Sequence, residues 1–348
     1  MPSFPLFNWF RTSGASTGCR TGLSTRASLD EAVKDVADQI GQRSGSADLA
    51  LVFVSTGYAS DFPRLMPMLR SRIKAKHWIG CAGGGVIGTR SDGTASEMEK
   101  SPALSVSLFK LPGVEIETRS LSTAQLPDLD GAAQNWQEWV GIPPTQSRSQ
   151  IVLIDPTSSG INDLISGLDY AYPSTDKLGG IAAPHNNSHG SLFFDDQVTS
   201  GAVVCSIGGD WCLDPVVAQG CRPIGPVFSI EQVQRNVLLE LSDGSNKASP
   251  VSCLQRVLAD LSEAERDLVR HSLFLGVERS NLQVSADGAP SEDSAFLVRN
   301  LIGVDPSNGA VAVAERVRAG QNVQFHLREA SASRDEAHAL LKAARGDG

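Results

Sequence analysis

Several signatures are missing from this sequence, and each absence excludes a class of protein. No apolar run approaches the roughly 18 residues that a membrane-crossing helix needs, which argues against membrane insertion. The six cysteines never fall in a C-x-x-C pair, so we expect reduced thiols and not a disulfide framework. No run of lysine or arginine marks a basic face, and the net charge of −9 is unfavourable for binding nucleic acid.

Acidic residues are also missing from the N-terminus, where the first one is Asp30. The stretch before it carries arginines and many hydroxyl side chains, a composition typical of an organellar transit peptide. A disordered cytosolic extension has the same composition. The sequence therefore predicts an intracellular protein, located in the cytoplasm or imported into a chloroplast or mitochondrion. Residues 1–27 are interpreted as this extension, and order is expected to begin at Ser28.

The remaining chain shows one series of elements twice. Buried strands at residues 49–54 and 151–154 are each followed by a helical pattern, a segment of small residues and a later strand. Corresponding pieces lie about 100 residues apart, which is too long for a solenoid repeat. The pattern predicts an α/β (α+β) fold with a duplicated strand–helix–strand subdomain, at about residues 47–110 and 149–210, with helices packed on β-sheets.

The C-terminal part follows a different pattern. Helices are predicted where Ser262 pairs with Glu265, and Ser333 with Glu336, in the S-x-x-E spacing of a capping box. Strands and turns are interspersed with them, so a C-terminal α+β domain is expected. The sequence is therefore divided into an extension at 1–27, a first domain at 28–245 and a second domain at 246–348.

One glycine-rich segment matches a nucleotide-binding pattern. Residues 83–88 read G-G-G-V-I-G and satisfy G-x-G-x-x-G. A dinucleotide site needs a helix directly after this loop, whereas the residues that follow are polar and include Gly93. The Walker pattern of phosphate-binding loops is absent as well. No cofactor is therefore predicted.

Two histidines raise the question of a metal or thiol enzyme. His185 and His189 lie four residues apart, but Asn186 and Asn187 between them favour a loop, where that spacing does not place both rings on one face. A nucleophilic pair of Cys81 with His185 lacks an orienting third group. We predict no catalytic residue and no metal ligand, and keep a thiol or metal-dependent enzyme as an alternative.

Small residues in the two equivalent loops allow close approach of a ligand. Glycines let backbone N–H groups converge on a ligand without intervening side chains, although they equally permit tight packing of a helix on a sheet. Duplicated halves are expected to bring the two loops together around a cleft. The predicted ligand-binding residues are Cys81, Gly83, Gly84, Gly85, His185, Asn186, Asn187, Cys221 and Arg222.

The order of several short phrases resembles a known family. The apolar strand at 49–54, I-G-C-A-G-G-G-V-I-G at 79–88, and the stretches at 101–106 and 111–114 are similar to the FIST N domain. G-C-R-P-I-G-P at 220–226 and the following strand at 236–241 resemble the passage into the FIST C domain. Residues 296–299 and 320–325 are similar to FIST C itself. The resemblance covers about residues 47–341.

This resemblance implies a sensory domain that binds small ligands such as amino acids. Such domains occur in bacterial signal-transduction proteins and in eukaryotic F-box proteins of ubiquitin signalling. The family supplies no catalytic residues, so we expect a non-catalytic protein with an amino-acid-like ligand. Only 27 residues precede the first predicted helix, too few for an F-box, and a stand-alone member is expected. The F-box relatives imply the alternative of a module that recognises a protein partner.

Overall fold

The computed structural model describes residues 17–41, 46–278 and 296–346. The chain divides into two compact units, here called unit 1 (up to Pro215) and unit 2 (from Val216). Across the described residues, no helix has the length and apolar character needed to cross a membrane.

The described part of unit 1 alternates strands and helices. Its strands are β1 (Gly18–Ser24), β2 (Ala47–Ser55), β3 (Ala75–Gly83), β4 (Gly85–Thr89), β5 (Ala95–Glu99), β6 (Leu104–Lys110), β7 (Val114–Leu121), β8 (Ser149–Ile154), β9 (Asp176–Ile181), β10 (Leu192–Phe194), β11 (Gln197–Thr199) and β12 (Ala202–Gly209). Its helices are α1 (Leu29–Ile40), α2 (Phe62–Arg70), α3 (Ala133–Val140) and α4 (Ile161–Ala171), with 3-10 helices at Thr56–Asp61 and Pro144–Gln146.

These strands form two main sheets and one hairpin. Sheet 1 has the order β1-β6-β2-β3-β10-β11, sheet 2 has the order β7-β12-β8-β9, and β4 pairs with β5 alone. In both sheets the second strand is antiparallel to its two neighbours, and the third and fourth strands are parallel. The two sheets therefore share one strand arrangement. An internal duplication of the sequence stays a prediction.

Alternation along the strands places the core of unit 1 in layers. Val52 and Val54 of β2 pack under α1 and α2, and Val152 and Ile154 of β8 pack under α3 and α4. The opposite faces of the two sheets meet each other, with Leu153 among the residues buried between them. Unit 1 is thus a stack of helices, sheet, sheet and helices, and the predicted α+β class with helices on β-sheets is confirmed.

The predicted start of order at Ser28 is wrong. Strand β1 lies inside the presumed extension and pairs with β6 along its whole length, from Gly18 with Lys110 to Ser24 with Leu104. Its arginine also has a structural role, because Arg20 Nη1 donates to the carbonyl oxygen of Gly41 at 2.9 Å. Residues 1–16 of the predicted extension lie outside the described residues.

In its described residues, unit 2 contains one sheet that closes on itself. Its strands are β13 (Cys221–Gln234), β14 (Val237–Ser242), β15 (Lys247–Ala248), β16 (Leu273–Glu278), β17 (Phe296–Val304), β18 (Val311–Val313) and β19 (Asn322–Arg328), and its helices are α5 (Pro250–Ala259), α6 (Glu263–Ser272) and α7 (Ala330–Gly346). The order β13-β19-β16-β17-β18-β14-β15 becomes a ring because β13 also pairs with β14. Residues such as Phe228, Leu275 and Phe325 fill its core.

The capping predictions in unit 2 have different outcomes. Ser262 and Glu265 form the predicted capping box at the start of α6. The prediction for Ser333 and Glu336 is wrong, because α7 already begins at Ala330. The Glu336 carboxylate instead accepts from the backbone N–H of Gly220 at 2.6 Å.

The unit boundary falls earlier in the chain than the predicted domain boundary at residue 245. Strands β13 and β14 precede that residue, yet their hydrogen-bonded partners β18 and β19 lie far beyond it. Long-range strand pairing therefore assigns both strands to unit 2.

Candidate functional site

The glycine-rich segment forms the end of one strand and the start of another. Cys81 and Gly83 belong to β3, Gly84 is the exposed residue of the turn, and Gly85 begins the hairpin β4–β5. A hairpin offers no helix N-terminus to a pyrophosphate, so the G-x-G-x-x-G pattern has no dinucleotide geometry here.

The second predicted loop, residues 182–191, connects β9 to β10 and meets the end of β3. The backbone N–H of Ala183 donates to the carbonyl oxygen of Ala82 at 2.8 Å, and the N–H of Ala82 donates to the carbonyl oxygen of Ser191 at 2.8 Å. The structure therefore brings together the two segments that the sequence pairs, through backbone atoms on both sides of Ala82.

The two histidines hold this loop in place. Their ring centroids lie 4.8 Å apart, and Phe62 of α2 contacts both rings. His185 Nδ1 accepts from the backbone N–H of Asn187 at 3.2 Å, which leaves the proton on Nε2 for the carbonyl oxygen of Gly190. His189 Nε2 lies 2.9 Å from the carbonyl oxygen of Ala59.

The predicted ligand-binding residues of this loop differ in their exposure to solvent. Asn186 and Asn187 are exposed, whereas the histidine nitrogens face backbone groups. Within residues 17–41, 46–278 and 296–346, no three His, Cys, Asp or Glu side chains come close enough together to hold a metal ion.

The cysteine at the end of β3 is buried between the sheets. Burial raises the pKa of Cys81 to about 11, so its thiol is protonated at neutral pH. Its side chain packs in the core between the two sheets, whereas His185 contacts Phe62 in the core under α1 and α2. The nucleophile pair drawn from the sequence is therefore not formed.

The last two predicted site residues belong to unit 2. Cys221 is half-buried at the start of β13. The Arg222 guanidinium is bound by two carboxylates, donating through Nε to Glu329 at 2.8 Å and through Nη2 to Glu265. The strong pairing holds Arg222 within its own unit.

A cavity that the sequence reasoning missed opens at the carboxyl end of β8. It has a volume of about 450 Å³. Three segments line it: the end of β7 with the residues after it, the loop after β8, and the turn before β12. The lining residues are Ser120, Leu121, Ser122, Thr123, Ala124, Thr157, Ser158, Ser159, Thr199, Ser200 and Gly201. Most of them carry hydroxyl groups, so the wall is polar but uncharged.

A buried carboxylate fixes the position of this wall. Asp155 follows β8 and is 1% exposed. Its Oδ1 accepts from the Thr157 hydroxyl at 2.6 Å and from the Thr157 N–H at 2.9 Å, and its Oδ2 accepts from the Ser191 N–H at 2.7 Å. Burial raises the pKa of Asp155, but these hydrogen bonds outweigh it and leave the pKa below its usual value. The ionised side chain thus ties the cavity wall to the loop that carries the histidines.

A signal for this site was present in the sequence. Asp155 is followed by P-T-S-S-G between a buried strand and a helix, and ligands of α/β folds bind beyond the carboxyl ends of strands. The glycine-rich loops are the more conspicuous pattern in the sequence, and this run of hydroxyl side chains does not match any of the motifs considered above. The contributions of residues 120–124 and 199–201 depend on the pairing of β7 and β12, which no local pattern reveals.

Comparison with known proteins adds the following matches. The sequence profile of the FIST N domain matches residues 48–244, and that of the FIST C domain matches residues 250–347. An uncharacterized protein of Mycobacterium tuberculosis is 27% identical over 319 residues, which cover 91% of this chain and 77% of that protein. An uncharacterized protein of Mycobacterium bovis is 27% identical over 316 residues, covering 90% and 76%.

Proposed function

This chain belongs to the FIST family, and from that premise we propose that it is a non-catalytic sensory protein that binds a small polar ligand in the cavity of unit 1. FIST domains are generally ligand-binding domains of signal transduction. The proposed ligand is amino-acid-like, in line with the small molecules that the family resemblance implies.

The observation that carries the proposal is the cavity itself. Its volume of about 450 Å³ falls within the range of about 300–1,000 Å³ that small-molecule sites occupy. Two of its lining residues are anchored to a sheet, since Leu121 ends β7 and Gly201 directly precedes β12. A preformed polar site of this kind binds a ligand with little ordering cost.

Thermal unfolding of the full chain tests the proposal. The panel contains the twenty common amino acids, small amines and small polyols, each over a range of concentrations. A ligand that binds only the folded chain adds about 2.7 kcal/mol of stability at a hundredfold excess over Kd. We expect at least one compound to raise the Tm with saturation.

A matched pair of variants locates the binding. Ala124→Trp places a large side chain in the cavity, and Ala95→Trp places the same side chain on the exposed face of β5. Binding should be lost in the first variant and retained in the second. The proposed function would be contradicted if no compound of the panel bound, or if a compound bound Ala124→Trp as tightly as the wild type.

The two other functions raised by the sequence stay predictions. Recognition of a protein partner, with its link to ubiquitin signalling, rests on the F-box relatives alone. A thiol enzyme working through Cys81 is disfavoured because burial keeps that thiol protonated.

A further inference from the structure

We infer that the cavity recognises its ligand through a protonated amino group, with the hydroxyl groups of the wall accepting the ammonium hydrogens. The inference rests on the proposed function, because it concerns the ligand of the same cavity. An amino-acid-like molecule carries an ammonium group and a carboxylate, and the ammonium group is the one that the cavity recognises.

The first step is that the hydroxyl protons beside β8 are already used. Thr157 donates its proton to the Asp155 carboxylate at 2.6 Å, and Ser158 donates to the carbonyl oxygen of Gly201 at 3.0 Å. A hydroxyl group has one proton and two lone pairs. Once the proton is committed to the protein, the oxygen can only accept a hydrogen bond from a ligand.

Hydroxyl protons are also used across the cavity, where Ser120, Thr199 and Ser200 form a chain of hydrogen bonds. Thr199 Oγ1 donates to the carbonyl oxygen of Ser200 at 3.2 Å, because a carbonyl cannot donate. Ser120 Oγ lies 3.0 Å from Thr199 Oγ1 and must therefore supply the proton between them. Ser120 and Thr199 consequently also present lone pairs and no free proton.

The charges around the cavity also favour a cationic group of the ligand. No lysine, arginine or histidine is among the cavity residues. The negative charge of Asp155 lies directly behind the Thr157 hydroxyl and polarises it, which strengthens the hydrogen bond that this oxygen accepts. A ligand carboxylate would find no free hydroxyl proton at these four residues and would face a like charge behind Thr157. An ammonium group brings three donors and the opposite charge.

Three derivatives of alanine separate recognition of the ammonium group from recognition of the carboxylate. L-alaninamide keeps the protonated amine and lacks the carboxylate. N-acetyl-L-alanine keeps the carboxylate and lacks the amine, and N-acetyl-L-alaninamide lacks both charges. Their dissociation constants are measured on the full chain by calorimetry, below the pKa of the free amine. We expect L-alaninamide to bind at least about tenfold more tightly than the other two, as for a site built around one polar group.

A second matched pair of variants tests the acceptor role. Ser158→Ala removes a cavity hydroxyl that donates to a carbonyl, and Ser71→Ala removes a hydroxyl of the same kind on the surface, where Ser71 Oγ donates to Met68 at 2.7 Å. Binding of L-alaninamide should weaken by about fivefold or more in Ser158→Ala and stay unchanged in Ser71→Ala. Ala124→Trp serves as a further block if Ser158→Ala unfolds.

The possible results distinguish this inference from the proposed function. Equal or tighter binding of N-acetyl-L-alanine, lost in Ala124→Trp, would overturn the inference and leave the sensory function standing. Absence of binding for all three probes would overturn the inference, while a panel compound that binds in the cavity would still support the function. Failure of the whole panel would remove both.

Discussion

The two sheets of unit 1 share a strand arrangement but differ in chemistry where their central strands end. The Ser55 N–H donates to the carbonyl oxygen of Ala103 at 2.8 Å, and the Asp155 N–H donates to that of Gly201 at 2.8 Å, so the backbones match. The side chains do not. Ser55 accepts one hydrogen bond, from the Ala103 N–H at 2.9 Å, whereas Asp155 supports a cavity wall and a loop. One arrangement thus accommodates a structural contact in one sheet and a candidate ligand site in the other.

The sheets differ also at their edges. Strand β3 is covered by β10, while β9 ends its sheet within the described residues. A strand with neighbours on both sides is held by two rows of hydrogen bonds, whereas an edge strand is held by one. The same local contact should therefore matter more in sheet 1 than in sheet 2.

The largest expected effect tests this difference with glycines. A Cβ on Gly80 would lie 2.0 Å from the carbonyl oxygen of Val52, and a Cβ on Gly179 would lie 1.7 Å from that of Val152. We expect Gly80→Ala to lower the free energy of unfolding by about 3 kcal/mol, and Gly179→Ala, whose edge strand is held on one side only but whose φ of 159° also disfavours a side chain, by about 2 kcal/mol. Chemical denaturation followed by tryptophan fluorescence measures both, since every tryptophan lies in unit 1. Equal losses would show that the edge does not relax.

The next prediction compares the two strand ends. Asp155→Asn leaves buried donors facing an amide in place of a carboxylate and should cost about 2 kcal/mol. Ser55→Ala removes a single accepted bond and should cost about 1 kcal/mol. The same denaturation experiment applies. A smaller loss for Asp155→Asn than for Ser55→Ala would contradict the supporting role of the carboxylate.

Lowering the pH should reduce the loss of folding stability that Asp155→Asn causes. The folded pKa of Asp155 lies below the value of about 3.9 expected in the unfolded chain, so its contribution is complete above that unfolded value. It is lost as the pH falls through the folded pKa. The stability difference between wild type and Asp155→Asn should therefore shrink as the pH falls below about 3.9. Asp48, whose pKa is also lowered, is present in both proteins and cancels in the difference.

The smallest effect concerns the hairpin that covers β3. Asp195 begins the turn between β10 and β11 with a φ of 51°, a conformation that favours glycine. The substitution by glycine also removes the ion pair between Asp195 and Arg70 at 3.6 Å, so Asp195→Gly should stabilise the chain by at most about 0.5 kcal/mol. Asp196→Gly, at a neighbouring position without positive φ, should not stabilise it. Thermal unfolding is sensitive enough to separate the two variants, and a loss in Asp195→Gly would argue against strain in this turn.

Local patterns predicted the central elements of the fold. The apolar runs of β2 and β8 and the first helix, expected from Ser28, depend on residues within one segment, and the structure confirms them. Strand β1 was missed because its sequence, G-C-R-T-G-L-S, has little apolar character and its partner residues in β6 lie 80 to 92 positions away. Its composition resembled that of a disordered tail.

The candidate site was predicted only in part. The sequence placed the two small-residue loops next to each other, and hydrogen bonds at Ala82 show that contact. The hydroxyl-lined cavity combines three segments that meet only through strand pairing. The role of Asp155 behind it follows from the three hydrogen bonds that its carboxylate accepts, and these depend on the folded structure. The roles of the nine predicted ligand-binding residues stay predictions.

The long strand β13 has a practical consequence for dividing the protein. It lies within the span of the FIST N profile, yet its hydrogen bonds to β19 complete the ring of unit 2. A fragment cut between the two profiles, near residue 247, would carry β13 and β14 without their partners and expose two strand edges prone to aggregation. A fragment ending at Pro215 would break none of the described strand pairs and should be the better choice for expressing the unit that holds the cavity.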